Sequence, residues 1–395
     1  MTTLTVISPA IGPYGGWNMF FRLLKYIDSS QKYKKNTTIT IITTGKPDHR
    51  LEELKSLNLN LYRTKWLNYN KYVHIMEKYP YLNFVNSLPL LIVTLVYTCT
   101  RGRKTQNILS NGYLSSIPCI IAKKITKGQF IKIYPWLHTD YRFSEKKLLK
   151  WLIRNSDSNI NKFFVNSRDI KNDLIECGIS DEKIIVINNW IDGLKISEEE
   201  RIVFHNKYTF LDNYEFIALY IGRYVEYKHF LTYLRVAEIT ACPTIAFVFI
   251  GDGELSDVLK KLLSRNKHVY WFKELSDKNV RYLLSKANLT LAYADEYYLG
   301  LTAYESLFSG TPVLYVWFSA APDKYSRKVR ISRNILPSHI GYQTSDDANC
   351  ISNLIVMLKE QGFPSMAVRE QCINYAMKFH SDRNAEKLAS CICQT

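Results

Sequence analysis

Acidic residues are missing from a long stretch in the first half of the chain. No Asp or Glu lies between Glu77 and Asp140, whereas eight Lys or Arg residues do, and the whole chain carries a formal charge of +16. A basic region of this kind can contact an anionic membrane surface or nucleic acid. The sequence has no zinc-finger, helix-turn-helix or RNP-type aromatic pattern, so we expect no nucleic-acid partner.

A hydrophobic run long enough to cross a membrane is also missing. The longest apolar stretch, residues 88–97, is about half of what a bilayer span needs. Arg101, Arg103 and Lys104 follow it at once, which suits peripheral docking on anionic lipid. The alternative is a buried crossover helix with a solvated basic flank. No secretory signal opens the sequence, so we expect the protein inside the cell; peripheral docking would place it on the inner face of the cell membrane.

Metal-binding and disulfide motifs are lacking as well. The eight cysteines form no C-x-x-C pair, no histidine stands at metal-ligand spacing, and no D-x-D motif occurs. We therefore expect reduced thiols, no metal site and no cofactor. An enzyme acting on phosphates without a metal must supply positive charge from its own side chains.

Two series of short apolar runs alternate with helix-length segments along the 395 residues, a length that exceeds one usual hydrophobic core. This pattern predicts an α/β protein with two parallel, Rossmann-like sheets. We predict strands at residues 4–8, 38–43, 60–62, 107–110, 130–134, 163–165, 184–187, 217–221, 245–250, 269–272, 289–292 and 313–315. The predicted domains are residues 1–195 and 196–378, with a final helix in 379–395.

Glycines at several predicted strand ends suggest phosphate binding. Gly300 stands just before a helix that carries Glu305, where backbone N–H groups and the helix dipole favour an anion and the carboxylate can hold ribose hydroxyls. Gly15 and Gly16 come just before the predicted helix 18–27 and offer a second N–H cluster.

A pair of cations follows another predicted strand. Gly222 and Arg223 come directly after it and Lys228 stands five residues further on, so both cations can bind the phosphates of a nucleotide diphosphate.

These motifs resemble the family 4 retaining glycosyltransferases of the GT-B fold, whose signature reads roughly E-G-F-G-L-x-x-x-E-A-x-A-x-G-x-P-V. Six positions fall in register: Gly300, Leu301, Glu305, Gly310, Pro312 and Val313. Gly222, Arg223 and Lys228 match the family's G-R-x-x-x-x-K-G, with His229 in place of the last glycine. The resemblance implies two Rossmann-like domains facing a cleft, with the C-terminal helix returning to the N-terminal, acceptor-binding domain.

The same resemblance assigns site residues. The expected donor-nucleotide contacts are Gly15, Gly16, Gly222, Gly251, Gly253, Lys273, Leu275, Gly300, Leu301 and Glu305. The expected catalytic residues are His138, Arg223, Lys228 and either Glu296 or Tyr297. Tyr297 occupies the position of the family's first Glu, so either a one-residue bulge delivers Glu296 or the Tyr297 hydroxyl acts instead. Asp295 and Glu296 can also be loop acids without a role.

The implied function is transfer of a sugar, with retention and without a metal, from a nucleotide-diphosphate sugar to a glycan or lipid-linked saccharide. Surface polysaccharide or O-antigen synthesis, with a polyprenyl-linked acceptor, is the pathway this suggests. A nucleotide-sugar epimerase of the same fold and a non-catalytic polyanion-binding scaffold remain alternatives.

Overall fold

The computed structural model describes residues 2–8, 15–43, 49–54, 57–63, 80–101, 106–138, 143–191, 196–240, 242–292, 300–316, 336–344, 346–379 and 382–393. The chain divides into two compact units. The first comprises Met1–Trp190 and Ser381–Thr395, and the second comprises Ile191–His380. Within the described ranges, no helix is long and apolar enough to cross a membrane.

The first unit is built on a parallel sheet whose described strands are ordered β3-β2-β1-β4-β5-β6-β7. The strands are β1 (Thr2–Ser8), β2 (Thr37–Thr43), β3 (Asn58–Arg63), β4 (Gln106–Asn111), β5 (Ile131–Leu137), β6 (Phe163–Val165) and β7 (Ile184–Val186). β1 pairs with β2 on one side and β4 on the other, with Val6 opposite both Ile41 and Leu109. Successive strands are therefore added toward one edge of the sheet up to β3 and toward the other edge from β4 on. Folds of this kind bind ligands at such a switch point, here between β1 and β4.

Helices cover both faces of the first sheet. They are α1 (Gly15–Ser29), α2 (Gln31–Lys34), α3 (Pro80–Thr100), α4 (Ile117–Thr126), α5 (Lys147–Ser156), α6 (Arg168–Glu176) and, after the second unit, α14 (Asp382–Ile392). Leu90, Ile120, Ile153 and Ile170 from α3, α4, α5 and α6 share one core cluster with Ile108 of the sheet. These four helices therefore lie on one face, as right-handed crossovers require, and α14 packs against α1 on the other.

The second unit contains a parallel sheet with the described order β10-β9-β8-β11-β12-β13. Its strands are β8 (Phe216–Ile221), β9 (Ile245–Ile250), β10 (Val269–Phe272), β11 (Leu289–Ala292), β12 (Val313–Val316) and β13 (Gly341–Thr344). β8 and β9 are almost wholly buried runs of apolar residues, as expected for central strands covered on both faces. The order of strand addition switches from one edge of the sheet to the other between β8 and β11, so ligand-binding loops are expected there.

The helices of the second unit have sequence-encoded starts. They are α7 (Glu198–Lys207), α8 (Phe230–Ile239), α9 (Ser256–Leu263), α10 (Asp277–Lys286), α11 (Leu301–Phe308), α12 (Ala348–Glu360) and α13 (Met366–Ala376). Ser197 and Glu200 form a capping box that begins α7. The Ser276 hydroxyl accepts a hydrogen bond from the Asn279 backbone N–H and so caps α10.

The predicted fold class is confirmed, because both parallel sheets contain every strand predicted from the sequence. One prediction about an element boundary is wrong: Gly15 and Gly16 form the first turn of α1 rather than preceding it. The apolar run at residues 88–97 lies within α3, where the side chains of Leu90 and Tyr97 are buried against the sheet. The predicted basic residues Arg103 and Lys104 lie outside the described residues.

Candidate active site

The predicted cations follow the end of β8, at the switch point in strand order between β8 and β11. Gly222 follows the strand with φ +154°, a backbone conformation that L side chains rarely adopt. A Cβ at this position would lie 3.9 Å from Lys228 Nζ, so the ammonium group sits over the Gly222 backbone. The Tyr220 hydroxyl donates a hydrogen bond of 3.2 Å to the Arg223 carbonyl and fixes the turn between them. Arg223 and Lys228 are therefore neighbours of one bare stretch of backbone.

The loops after β8 and β9 are interlocked through their glycines. Gly251 has φ +136°, and a Cβ there would approach the Gly222 carbonyl oxygen to 2.0 Å. The Gly222 N–H donates to the Ile250 carbonyl and the Gly251 N–H donates to the Phe272 carbonyl, at 3.0 and 2.9 Å. Only glycine fits at position 251, because any side chain would collide with backbone. The three strand ends β8, β9 and β10 thus form one rigid surface.

Tyr224 joins the next part of the β9 loop to this surface. A Cβ at Gly253 would come within 2.5 Å of the Tyr224 carbonyl oxygen, so glycine is required at a second position for close backbone approach. The Tyr224 N–H donates to the Asp252 carbonyl at 3.0 Å. The Tyr224 ring stacks on Phe230 at 4.1 Å between centroids, which ties the loop to the start of α8.

Asp252 connects the β9 and β10 loops electrostatically. Its carboxylate accepts from Lys273 Nζ at 2.8 Å, and its other oxygen accepts from the Ser256 hydroxyl and the Gly253 N–H. Partial burial raises the pKa of Asp252, but these hydrogen bonds, led by Lys273, outweigh it and the net shift is downward. Lys273 is thus held beside the predicted base-binding segment that contains Leu275.

His229 stands at the position where the resembling family has glycine, and its backbone conformation is one that glycine adopts easily. Its φ of 55° is left-handed, and it caps the start of α8 directly after Lys228. The buried His229 imidazole lies 3.4 Å, Nδ1 to Oδ2, from Asp346, whose other oxygen accepts from the Thr232 hydroxyl. The pKa of Asp346 is lowered, chiefly by its hydrogen bond with His229. Asp346, which follows β13, therefore fixes His229, the residue next to Lys228.

Gly300 begins α11 as predicted, and Glu305 lies on the second turn of that helix. Among the described residues, no side chain caps the start of α11, which leaves its first N–H groups to other acceptors. The Arg281 guanidinium donates to the Glu305 carbonyl and lies over the Phe308 ring, while the Ser306 hydroxyl donates to Thr290 Oγ1 of β11 at 2.6 Å. These contacts fix α11 on the sheet. Glu296 and Tyr297, the predicted catalytic alternatives, lie outside the described residues.

The first unit places His138 directly after β5, with its ring 4.5 Å from Trp136 and 5.8 Å from Phe20 between centroids. His138 Nε2 is buried and has no hydrogen-bond partner among the described residues. Burial lowers the pKa of His138 to about 3, so the imidazole is neutral at pH 7. Such a neutral imidazole nitrogen can donate a hydrogen bond to a sugar hydroxyl or accept one from it, depending on its tautomer. Gly15 and Gly16 lie at the start of α1, which follows β1 of the same sheet.

The structure therefore brings six predicted residues together around β8, β9 and β10. They are Gly222, Arg223, Lys228, Gly251, Gly253 and Lys273. No group of three or more metal-ligating side chains occurs among the described residues. The sequence motifs did not assign Asp252, Tyr224 or Asp346 to the site, although the G-D-G motif at residues 251–253 was a signal for the first of them.

A comparison with protein families identifies this part of the chain. Residues 204–323 match the family model described as "Glycosyl transferases group 1". The matched segment lies within the second unit. The match includes the loops after β8, β9 and β10 and the start of α11, so the chemistry-bearing loops lie in the matched segment. The prediction of a glycosyltransferase is thereby supported, whereas the finer assignment to family 4 is not decided by this match.

Solved structures establish the fold along the whole chain. HepE of Anabaena in complex with UDP-glucose is 15% identical, with 99% of this chain and 100% of that chain covered and a TM-score of 0.67. Sucrose-phosphate synthase of Thermosynechococcus elongatus is 15% identical over 99% and 98%, also with a TM-score of 0.67. The lipopolysaccharide outer core galactosyltransferase WaaB is 13% identical over 99% of both chains, with a TM-score of 0.62. The chain thus has the GT-B fold of these proteins. No curated protein sequence matches it.

Proposed function

We propose that the protein is a retaining, metal-independent glycosyltransferase that uses a nucleotide-diphosphate sugar as its donor. The observation that carries the proposal is the position of Lys228 Nζ over the bare Gly222 backbone, beside Arg223, where the second sheet reverses direction. A diphosphate is the ligand that two neighbouring cations accommodate best. The UDP-glucose complex of the structurally similar HepE makes a uridine diphosphate donor the first to test.

The described residues suggest a division of labour in the reaction. The bond between the sugar anomeric carbon and the diphosphate oxygen breaks, and Arg223 and Lys228 stabilise the negative charge that develops on the leaving phosphate. The acceptor hydroxyl attacks the anomeric carbon from the same face, and its proton passes to the leaving phosphate. The N-terminus of α11 at Gly300 holds phosphate, and Glu305 binds ribose hydroxyls.

The first unit supports a neutral, hydroxyl-rich acceptor. His138 is uncharged and its Nε2 has no partner among the described residues, which suits a hydrogen bond to a sugar hydroxyl rather than to an anion. We propose a glycan or polyprenyl-linked saccharide as acceptor, in the synthesis of a surface polysaccharide or O-antigen. Glu296 or Tyr297 contacts the donor sugar in this proposal.

Thermal-shift measurements with UDP, GDP, CDP and ADP test the donor site. One diphosphate is expected to raise the melting temperature of wild type, and this shift should disappear in the Arg223→Ala/Lys228→Ala double variant. Equal shifts in wild type and the double variant would reject the proposed site.

Assays with nucleotide sugars, with and without a saccharide acceptor, then test the reaction. A transferase needs the acceptor for turnover, whereas conversion of the sugar in its absence would indicate an epimerase. Binding without any turnover would indicate a scaffold. Transfer should persist in excess EDTA, because the cations carry the charge; loss on chelation and rescue by Mg²⁺ would reject a metal-independent mechanism.

A further inference from the structure

Three helices on one face of the first sheet, α3, α4 and α5, contain no acidic residue. The fourth helix on this face, α6, contains Asp169, Asp173 and Glu176, so the acid-free surface is limited to α3, α4 and α5. The helices α1 and α14 on the opposite face contain Asp28 and Glu386 among other polar groups.

The acid-free helices also expose large apolar side chains. The exposed residues on this face are Ile92 and Val96 of α3, Ile121 and Ile125 of α4, and Leu148 and Trp151 of α5. Within the described residues of α1 and α14, no large apolar side chain is exposed. Single exposed apolar residues are ordinary, but each of these three helices exposes two large apolar side chains, which is more than a scattered surface residue.

Helix α5 has the strongest combination of apolar and basic groups. Leu148 is 68% exposed and Trp151 is 60% exposed. Lys147 lies one turn before Trp151 on the same exposed side, and the half-exposed Lys150 flanks this side one turn after Lys147, so cations border the bulky apolar groups. The inward face is satisfied, because Ile153 is fully buried in the core cluster. The outward side chains therefore do not stabilise the unit.

The charges around α5 match an anionic partner. Lys123 and Lys124 lie in the last turn of α4. Acids also lie near α5: Glu145 precedes it, Asp157 follows it in an ion pair with Lys183 at 3.0 Å, and Asp173 of α6 accepts from the Phe143 and Ser144 N–H groups at 2.8 and 2.9 Å. A basic surface with an exposed Trp and Leu is typical of segments that lie in the headgroup region of a bilayer. Lysine side chains on such a surface can extend toward headgroups while their methylene stems cover apolar area.

We propose that the outward surface of α3, α4 and α5 docks on an anionic lipid bilayer, with Leu148 and Trp151 of α5 inserted among the headgroups. Lys147 and Lys150 contact the lipid phosphates. This surface contains none of the residues assigned to the donor site, so the inference stands apart from the proposed function. It centres on α5, whereas the sequence suggested the residues after position 100.

Vesicle co-sedimentation of the full chain tests the proposal. Wild type is expected to bind vesicles of phosphatidylcholine with 30% phosphatidylglycerol, to bind pure phosphatidylcholine at least about tenfold more weakly, and to lose affinity as salt rises to 0.5 M. The Leu148→Gln/Trp151→Gln variant should lose at least about tenfold in partitioning, because two apolar side chains no longer enter the interface.

A matched control lies on the second unit. Ile202 and Val203 of α7 are 61% and 62% exposed, similar fractions to those of Leu148 and Trp151. The Ile202→Gln/Val203→Gln variant therefore removes two exposed apolar side chains elsewhere and should bind as wild type does. The Lys147→Gln/Lys150→Gln variant keeps both apolar groups and should also lose about tenfold, with a weaker salt dependence. Thermal unfolding should be unchanged in all three variants, which separates docking from misfolding.

Three results would overturn the proposal. They are absence of wild-type binding to anionic vesicles, equal binding of wild type and the Leu148→Gln/Trp151→Gln variant, and equal loss in the control on α7. A dimer of wild type in sedimentation velocity that becomes monomeric in the Leu148→Gln/Trp151→Gln variant would assign the surface to a second copy of the chain instead. Failure of vesicle binding would leave the nucleotide-dependent thermal shift unaffected, so the two proposals fail independently.

Discussion

The carboxyl ends of the two sheets differ in charge although the sheets share the order 3-2-1-4-5-6 over their first six strands. In the second unit the described loops after β8, β9 and β10 begin with Gly222-Arg223, Gly251-Asp252 and Lys273. In the first unit the described residues that follow β5 and β6 are His138 and Asn166, which are uncharged at pH 7. This difference supports the proposal that the edge of the second sheet binds an anion and that of the first a neutral, hydroxyl-rich ligand.

The difference extends to the backbone. The Gly222 and Gly251 loops touch each other with no room for a side chain, so the cations are presented on a rigid base. At the first edge, contacts are made by side chains: Asn111 donates to the Ser8 hydroxyl at 3.1 Å and Asn166 donates to the His138 carbonyl at 3.0 Å. Phosphate binding needs bare backbone, whereas binding of varied hydroxyls can be tuned through side chains.

Breaking the backbone interlock should have the largest effect. In Gly251→Ala the new Cβ would lie 2.0 Å from the Gly222 oxygen in a strained conformation, so we expect the free energy of unfolding to fall by about 3 kcal/mol. Urea denaturation followed by circular dichroism measures this. Gly362→Ala is the matched control, since Gly362 also has a positive φ of 65° but no atom within 4 Å, and it should cost about 1 kcal/mol. Equal losses would show that the interlock has no energetic role.

Removing the cations tests the anionic side of the comparison. Arg223→Ala and Lys228→Ala should each lower the rate of sugar transfer by about 100-fold, because each removes a donor that stabilises charge on the leaving phosphate. Steady-state transfer kinetics with folding checked by thermal unfolding measures this. Lys286→Ala is the control, because Lys286 pairs with Asp212 at the end of α10, just before β11 and therefore at the opposite edge of the sheet from the loops. Unchanged rates in both site variants would remove Arg223 and Lys228 from the site.

The neutral side of the comparison is tested by pH. The pKa of His138 falls to about 3 in the folded chain against 6.5 for an exposed histidine, so the unfolded chain binds the extra proton first. Stability should therefore drop as pH falls from 6.5 toward 3, by up to about 1.4 kcal/mol per pH unit from this group. Urea unfolding at pH 7, 6 and 5 should show a smaller drop in His138→Gln than in wild type. Parallel curves would contradict a neutral, buried His138.

The smallest effect concerns the contact that closes the first unit. The Glu386 carboxylate of α14 accepts hydrogen bonds from Tyr26 and Tyr33 of the N-terminal segment at 2.6 and 2.8 Å. Tyr26→Phe should cost about 1 kcal/mol, and Lys32→Ala should cost less because that lysine is exposed. The pKa of Glu386 is lowered, first by Lys32 and then by Tyr26, so its contribution should be present above pH 4.5 and lost in more acidic solution. Thermal unfolding of both variants at pH 7 and pH 4 measures these effects, and a Tyr26→Phe cost that persists unchanged at pH 4 would contradict them.

The alternating pattern of apolar runs predicted the strands well because central parallel strands are continuous hydrophobic segments. It missed β13, Gly341–Thr344, since the polar residues of this edge strand look like a loop. The positions of Gly222, Arg223 and Lys228 were predicted from local motifs. The contact of Gly251 with Gly222 was not, because it depends on which strands are neighbours, a property set by the whole sheet rather than by either loop.

The return of α14 makes the first unit discontinuous in sequence, with the second unit inserted between Trp190 and Ser381. A ribosome therefore completes the second unit before it has synthesised the last helix of the first. Until then the Tyr26 and Tyr33 hydroxyls and the Asn107 amide, which donates to the Ile392 carbonyl, lack their final acceptors. The unit begun first during translation is finished last, and a nascent chain that stops before residue 381 carries an incomplete first unit beside a complete second one.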